Sequence, residues 1–535
     1  MQKEFPMELV YLWVEDYKNI KKQGFNFSPR FRCEFKDEYD NNGKLKHNCE
    51  LKIIDKDETG EFYPKNFFGN NINITAIIGE NGSGKSSIIE NIFEFLEIGI
   101  LSGKNILIYL EEEKFICMTD LDCINIKGVN RKYIQVKRNK QELSSKLFIY
   151  NRNYEHEYKP FRKNKIINVD KKTVINILVH NFGQSIDYKL STFMYLPNRI
   201  TINYKDTESL ILLFINNQYP GLENLEDFFR GKDDFQQFLI TLCARNGIEK
   251  ELDFYNNENK MIEKIGKSKE DLTEIFTDFN KLKLGKTFLF LNENKQLINK
   301  YIDSEYFELF EFDLIDEKDV HYNNLSHGEQ ILFGLLLNIF FYSRTQSSIF
   351  LLDEPELSLH PQWQKQLLNE MINIFKNFTN DKFQLLLTSH SPFILSDLPK
   401  QNVIFLEKDE KTGNCINVTN KVDINPFGAN IHTLLSHGFF MKDGLMGEFA
   451  KDKIQSIIKY HEDIEKKEIL EADKIEYKTK KQKEFWQIQS IIGDDYLKQV
   501  IKNYLVEIEK IVLENGEAKQ EEIKRLEAQI EQLRK

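Results

Sequence analysis

Two hydrophobic periodicities alternate along the chain. Short, dense apolar runs predict buried strands: ITAII at 74–78, SIFLL at 348–352, FQLLLTS at 383–389 and NVIFL at 402–406. Elsewhere apolar residues recur at helical spacing. Ile88, Ile89, Ile92, Phe93 and Leu96 form one such face, and ILFGLLLNIFF at 331–341 forms a helix that is apolar nearly all round. That run is too short for a bilayer, which needs roughly 20 apolar residues, and it contains Asn338. Between 205 and 320, patches such as FFRGKDDFQQFLITLCARNGI and EDLTEIFTDFNKLKL predict helices without a sustained heptad, so a compact insertion is expected and not a coiled-coil arm. Beyond 445 the pattern is helical and charged, and no strand is expected. The last segment spaces Ile523, Leu526, Ile530 and Leu533 at 3-4-3, about two heptads. It either pairs with a partner helix or folds back on its own domain.

Length changes this picture by adding room. The 535 residues suffice for several domains, with 41% hydrophobic and 29% charged residues. Six scattered cysteines form no C-x-x-C pair, so they read as reduced thiols of a cytoplasmic protein. Glu4, Glu8 and Glu15 interrupt the N-terminal apolar patch, which does not read as a signal peptide, and no membrane association is expected. The net charge of −11 argues against indiscriminate coating of nucleic acid. Residues 127–172 nevertheless hold 14 Lys or Arg against 4 Asp or Glu, interleaved with Tyr133, Phe148, Tyr150, Tyr154, Tyr158 and Phe161. That stretch is either the solvated surface of a β lobe or a nucleic-acid contact.

The chemistry begins where the first strand run ends. GENGSGKS at 79–86 fits G-x-x-x-x-G-K-S between a predicted strand and a predicted helix, the context a phosphate loop requires. Gly79, Gly82 and Gly84 allow backbone N–H groups to turn toward phosphate oxygens, with Asn81 and Ser87 completing the loop. The helix start adds its positive dipole end. Lys85 is placed for the β- and γ-phosphates of ATP and Ser86 for Mg²⁺. A second strand ends in two adjacent carboxylates: Asp353 is placed to hold Mg²⁺ and Glu354 to polarise an attacking water.

Three further segments narrow the class. NNLSHGEQ at 323–330 resembles the signature motif of ABC-type ATPases in the variant of the SMC-like and repair branch, carried by Ser326, Gly328 and Glu329. ELSLHPQWQ, directly after the acidic pair, resembles a D-loop. TSH ending at His390 resembles the switch histidine that reads the γ-phosphate. The order of these parts is that of an SMC-like or OLD-like ABC ATPase head. The implied fold is α/β: a mixed sheet with flanking helices and an antiparallel β lobe, a helical insertion and a helical C-terminal region. The implied segments are 1–204 and 321–440 for the head, 205–320 for the insertion and 441–535 for partner or self-association. LVYLWVEDYKNIKKQGFNFS resembles the first strands of such heads, with Lys18 or Asn19 near the nucleotide. The glutamine expected between phosphate loop and signature is either Gln135 or Gln184.

The resemblance implies partners as well. Ser326 and Gly328 of one head would close over ATP held by another, so a homodimer of heads, or a higher oligomer, is expected. The C-terminal region shows neither the D-x-D of a Toprim nuclease nor a His/Asn/His nuclease cluster. FGANIHTLLSHGFF and WQIQSIIGDDYLKQVIKNYL are similar to segments of stand-alone ATPases of bacterial anti-phage systems, those of Septu systems and Septu-like retrons first, PARIS systems second. That likeness implies an ATPase that senses infection and controls a separate nuclease. The alternative is a repair-like ATPase acting directly on DNA. The 241 residues separating Lys85 from Ser326 argue against a transporter subunit.

Overall fold

The computed structural model describes residues 7–98, 104–111, 114–119, 121, 124–128, 134–137, 146–150, 165–167, 169–181, 197–204, 231–245, 252–283, 289–291, 298, 310–344, 347–438, 446–513 and 515–534. Contacts divide the chain into two units, Met1–Phe440 and Met441–Lys535.

The first unit is built on a twelve-stranded mixed sheet. One half is parallel and runs in the order Lys165–Ile166, Lys146–Tyr150, Ser348–Asp353, Phe383–Ser389, Ile72–Gly79, Val403–Lys408. Strands 348–353, 383–389 and 72–79 are apolar without alternation because both faces are covered. Their residues segregate by face. Phe350, Leu352, Leu385 and Leu387 join the core under the helices His327–Ser343 and Pro361–Lys376, whereas Ile349, Leu351, Leu386 and Ile77 face the opposite layer.

That opposite layer is the other half of the same sheet. The strands Glu8–Tyr17, Ile20–Asn26, Asn105–Glu111 and Lys114–Thr119 pair antiparallel. The helix Lys85–Ile98 shares a core with both halves: Ile88, Ile89, Ile92 and Phe93 are fully buried with Leu12, Val14, Leu107 and Tyr109 on one side and Ile349, Leu351 and Leu386 on the other. Each such side chain contributes about 1.5–3 kcal/mol of burial. The halves are also tied by a polar clasp. The buried Gln384 side chain accepts from Leu9 N at 2.7 Å and donates to Leu9 O at 2.8 Å. The outer face of the antiparallel half, with Val10, Tyr11 and Trp13, packs on a three-stranded sheet of Phe31–Lys36, Cys49–Asp55 and Ile124–Lys127.

Two readings of the sequence change here. The 205–320 region holds the expected helices Asp234–Arg245, Glu258–Ile265 and Lys269–Lys283, but also the strands Leu289–Phe290 and Phe310–Asp316, which flank Pro197–Tyr204. FEFDLID alternates at period two, and Phe312 and Leu314 are buried in the main core. The basic stretch 127–172 is not one β-lobe surface. Ile134–Lys137 is the last strand at one end of the sheet order, whereas Lys146–Tyr150 is second from the other end, inside the parallel half. Tyr133, Arg138, Lys140, Tyr154, Tyr158 and Phe161 lie outside the described residues.

The second unit is helical. Ile454, Ile457, Tyr477, Phe485, Ile501, Leu505 and Ile508 form its core. Its last helix, Asn515–Arg534, attaches through Arg525. That guanidinium makes a two-pronged ion pair with the buried Glu509, Nη1 at 2.8 Å, and stacks 3.9 Å from the Trp486 ring. The helix therefore folds back within its unit, while Ile523, Leu526 and Ile530 stay about half exposed.

Candidate active site

Strand register assembles the site. In the parallel half Asp353 pairs with Thr388, and Thr388 with Ile77, so the acidic strand, the strand before His390 and the strand before the glycine loop end side by side. Carboxyl ends of parallel strands are where such sheets bind ligands. The loop leaves the sheet at Gly79, where a Cβ would lie 2.3 Å from Leu406 O, so only glycine fits. Gly82 and Gly84 take φ of +74° and +102°, open to glycine without strain. The helix starts at Lys85, and its first-turn N–H groups face the loop.

Lys85 is buried, and its Nζ donates to Gly79 O at 3.1 Å and Glu80 O at 3.0 Å. Burial pushes its pKa down, and the carboxylates of Glu354, Asp353, Glu356 and Glu80 pull it back. Ser86 Oγ donates to Asp353 Oδ1 at 2.9 Å, and Thr388 Oγ1 donates to the same oxygen at 2.6 Å. Burial raises the Asp353 pKa, opposed by these two hydroxyls. A hydroxyl and a carboxylate in contact form a hard-oxygen donor set, which suits Mg²⁺. The next residue, Glu354, has φ of +48°, a strained conformation for a residue with a Cβ. Its N–H donates to Thr388 Oγ1 at 2.9 Å, and its Oε1 lies 3.1 Å from His390 Nε2. His390 is held in turn: its backbone N–H donates to Glu356 Oε1 at 2.8 Å, and Ser389 Oγ donates to the same oxygen at 2.7 Å.

The structure therefore brings Lys85, Ser86, Asp353, Glu354 and His390 together. Asn19 comes with them: it donates to Gly82 O at 2.9 Å and accepts from Ser87 Oγ at 3.4 Å. Lys18 turns away to pair with Glu90. Thr388, Ser389 and Glu356 were missed by sequence reasoning. Their positions beside SH and after DEP were visible, but their role appears only in the register between strands. Asn81 is exposed in the loop.

Ser326, Gly328 and Glu329 sit elsewhere, at the start of the helix His327–Ser343. Ser326 caps that helix, its N and Oγ both donating to Glu329 Oε2 at 2.7 Å, a capping box. A Cβ at Gly328 would lie 2.7 Å from Ser358 O, so the signature backbone packs against the loop after the acidic pair. The side-chain hydrogen bonds of Ser326 and Glu329 close on each other, and among the described residues none reaches the phosphate loop. Gln135 belongs to the edge strand Ile134–Lys137, its side chain outside the described residues, as is all of Gln184.

Residues 74–396 match the family described as AAA domain, putative AbiEii toxin, Type IV TA system. The chain belongs to this family. As an AAA-domain protein it is a P-loop ATPase, and the matched span includes the glycine loop, the acidic pair and His390. Among curated proteins it is 21% identical over 468 residues to the retron Vc95 probable ATPase of Vibrio cholerae, covering 80% of this chain and 85% of that one. It is also 21% identical to the retron Ec83 probable ATPase of Escherichia coli, covering 63% and 68%. The Septu protein PtuA of Bacillus mycoides is 21% identical over 371 residues, 68% of this chain and 40% of that longer protein. Among solved structures, the Smc head domain of Pyrococcus furiosus bound to the C-terminal domain of ScpA is 10% identical, with a TM-score of 0.28, covering 78% of this chain and 97% of that one. At that overlap the fold assignment rests on the sheet order and loop geometry.

Proposed function

We propose that this chain is the ATP-hydrolysing subunit of an anti-phage defence system and that it controls a nuclease carried on a separate chain. The observation that carries the ATPase part is the contact set of Ser86, Asp353 and Thr388 beside the Glu354–His390 pair. The defence part is supported by the likeness to ATPases named for retrons and by the likeness to a Septu protein.

The phosphates of ATP are cradled by the backbone of Gly79, Asn81, Gly82 and Gly84, by Ser87 and by Lys85. Lys85 exchanges its bonds to Gly79 O and Glu80 O for phosphate oxygens. Ser86 and Asp353 would hold Mg²⁺, which neutralises charge on the transferred phosphoryl group. Glu354 orients and deprotonates the attacking water, and His390 contacts the γ-phosphate while keeping Glu354 in position. Ser326, Gly328 and Glu329 act in trans on ATP held by a second copy, consistent with the Ser326 and Glu329 side chains being engaged only in the capping box. The head then comprises 1–204 and 321–440, with 205–320 inserted and 441–535 serving partner or self-association. Cytoplasmic location is part of this proposal; no helix among the described residues is long and apolar enough to cross a membrane.

The test is co-purification from cells carrying the neighbouring genes, with ATPase assays on the product. The reading expects a stoichiometric nuclease and an ATPase abolished by Lys85→Ala. Recovery of the chain alone, or with duplex DNA only, favours direct action on DNA through the basic residues of 127–172. The separation of strands 134–137 and 146–150 in the sheet order is why we place that reading second.

A further inference from the structure

The second unit contains a group of ligating side chains that the ATPase reaction does not use. His461, on the helix Glu448–Glu465, is 5% exposed. Its Nε2 is fully buried and makes no hydrogen bond. It is aimed at two carboxylates. Glu465 Oε1, one turn along the same helix, lies 3.7 Å away, and Glu507 Oε2, on the helix Asp495–Val512, lies 2.9 Å away but outside hydrogen-bond geometry. The three ligand atoms all fall within 4.8 Å of one another. The His461 ring packs 4.8 Å from that of Tyr504, which fixes its plane. Among the described residues Glu465 and Glu507 pair with His461 and with no lysine or arginine, so two carboxylates within 4.8 Å of each other share a single imidazole nitrogen.

We propose that His461, Glu465 and Glu507 form a divalent transition-metal site that staples the two helices together. One imidazole nitrogen and two carboxylate oxygens suit zinc and its first-row neighbours. At ligand bonds of about 2.0–2.1 Å, a tetrahedral ion separates its ligand atoms by about 3.3 Å. The observed separations straddle that value, so small rotamer changes of the half-exposed glutamates suffice. His461 supplies the buried anchor, the glutamates close the site from the solvent side, and solvent takes the fourth position. None of its residues belongs to the phosphate loop.

The test uses the full-length chain, stripped with chelator and free of nucleotide. Zn²⁺ is titrated calorimetrically, and bound metal is counted by mass spectrometry. The proposal expects one Zn²⁺ per chain, with affinity at least about 10-fold weaker in Glu507→Gln and in Glu465→Gln and unchanged in Ser86→Ala. Both glutamates are half exposed, so these variants keep the fold, and circular dichroism verifies it. Stripped protein that takes up no stoichiometric Zn²⁺ overturns the proposal. So does uptake that survives both glutamate variants or is lost in Ser86→Ala.

Discussion

At the residue scale the site depends on one threonine as much as on its carboxylates. Thr388 Oγ1 donates to Asp353 and accepts from the Glu354 backbone, so a single hydroxyl fixes both. Thr388→Val keeps the shape and removes both bonds. It should lower the ATPase rate at least about 10-fold and cost about 1–3 kcal/mol, read by phosphate release and urea unfolding. Asp353 makes a different prediction. Its pKa is raised from 3.8 by burial, so the folded state binds its proton more tightly than the unfolded chain. Stability then falls as pH rises from the unfolded value through the raised one, and the penalty is fully present near neutrality. Asp353→Asn should therefore raise the melting temperature at neutral pH while abolishing turnover, with the gain shrinking as pH falls toward 4. A variant less stable than wild type at neutral pH contradicts this. The glycine loop and the acidic pair were legible in the sequence because each is contiguous. Asn19 was reached only as an alternative to Lys18, through the resemblance of the first strands. Thr388 and Glu356 act across strands, and nothing local reports the register that brings them in.

At the element scale, periodicity predicted the strands ending at Gly79, Asp353 and Ser389 and the helices after Gly84 and Ser326, because these are long and strongly patterned. It missed Phe310–Asp316, whose alternation was passed over inside a region read as helical. It also left the last helix ambiguous. The two-heptad stripe is real but half exposed, and the attachment comes from Arg525 reaching the buried Glu509, a long-range ion pair that no periodicity encodes. Arg525→Ala leaves the buried Glu509 carboxylate, among the described residues, with Trp486 and Gln482 as its side-chain donors, at 2.8 and 3.0 Å. The second unit should lose about 2–4 kcal/mol, seen as earlier denaturant unfolding by circular dichroism. The ATPase rate should be unaffected if the head carries the chemistry. At the other end, Phe93→Ala empties the layer shared by both halves of the sheet and should cost about 3–5 kcal/mol, seen as an earlier thermal unfolding transition of the first unit.

At the scale of the whole molecule, one chain holds a phosphate loop and a signature whose polar groups do not meet. We propose that a second copy completes each site, with ATP joining the two heads and hydrolysis at Glu354 releasing them. Composition is silent on this; the second copy is inferred from the resemblance of the segment at 323–330 to the signature of ABC-type heads. The deciding measurement is the solution mass of Glu354→Gln by light scattering, with and without ATP and Mg²⁺, beside the same variant carrying Ser326→Arg. The account predicts that ATP drives the variant from lower mass to at least twice the 63.5 kDa of one chain, and that Ser326→Arg prevents it. A mass indifferent to ATP, together with turnover at the wild-type rate, would contradict both the shared site and the role given to Glu354.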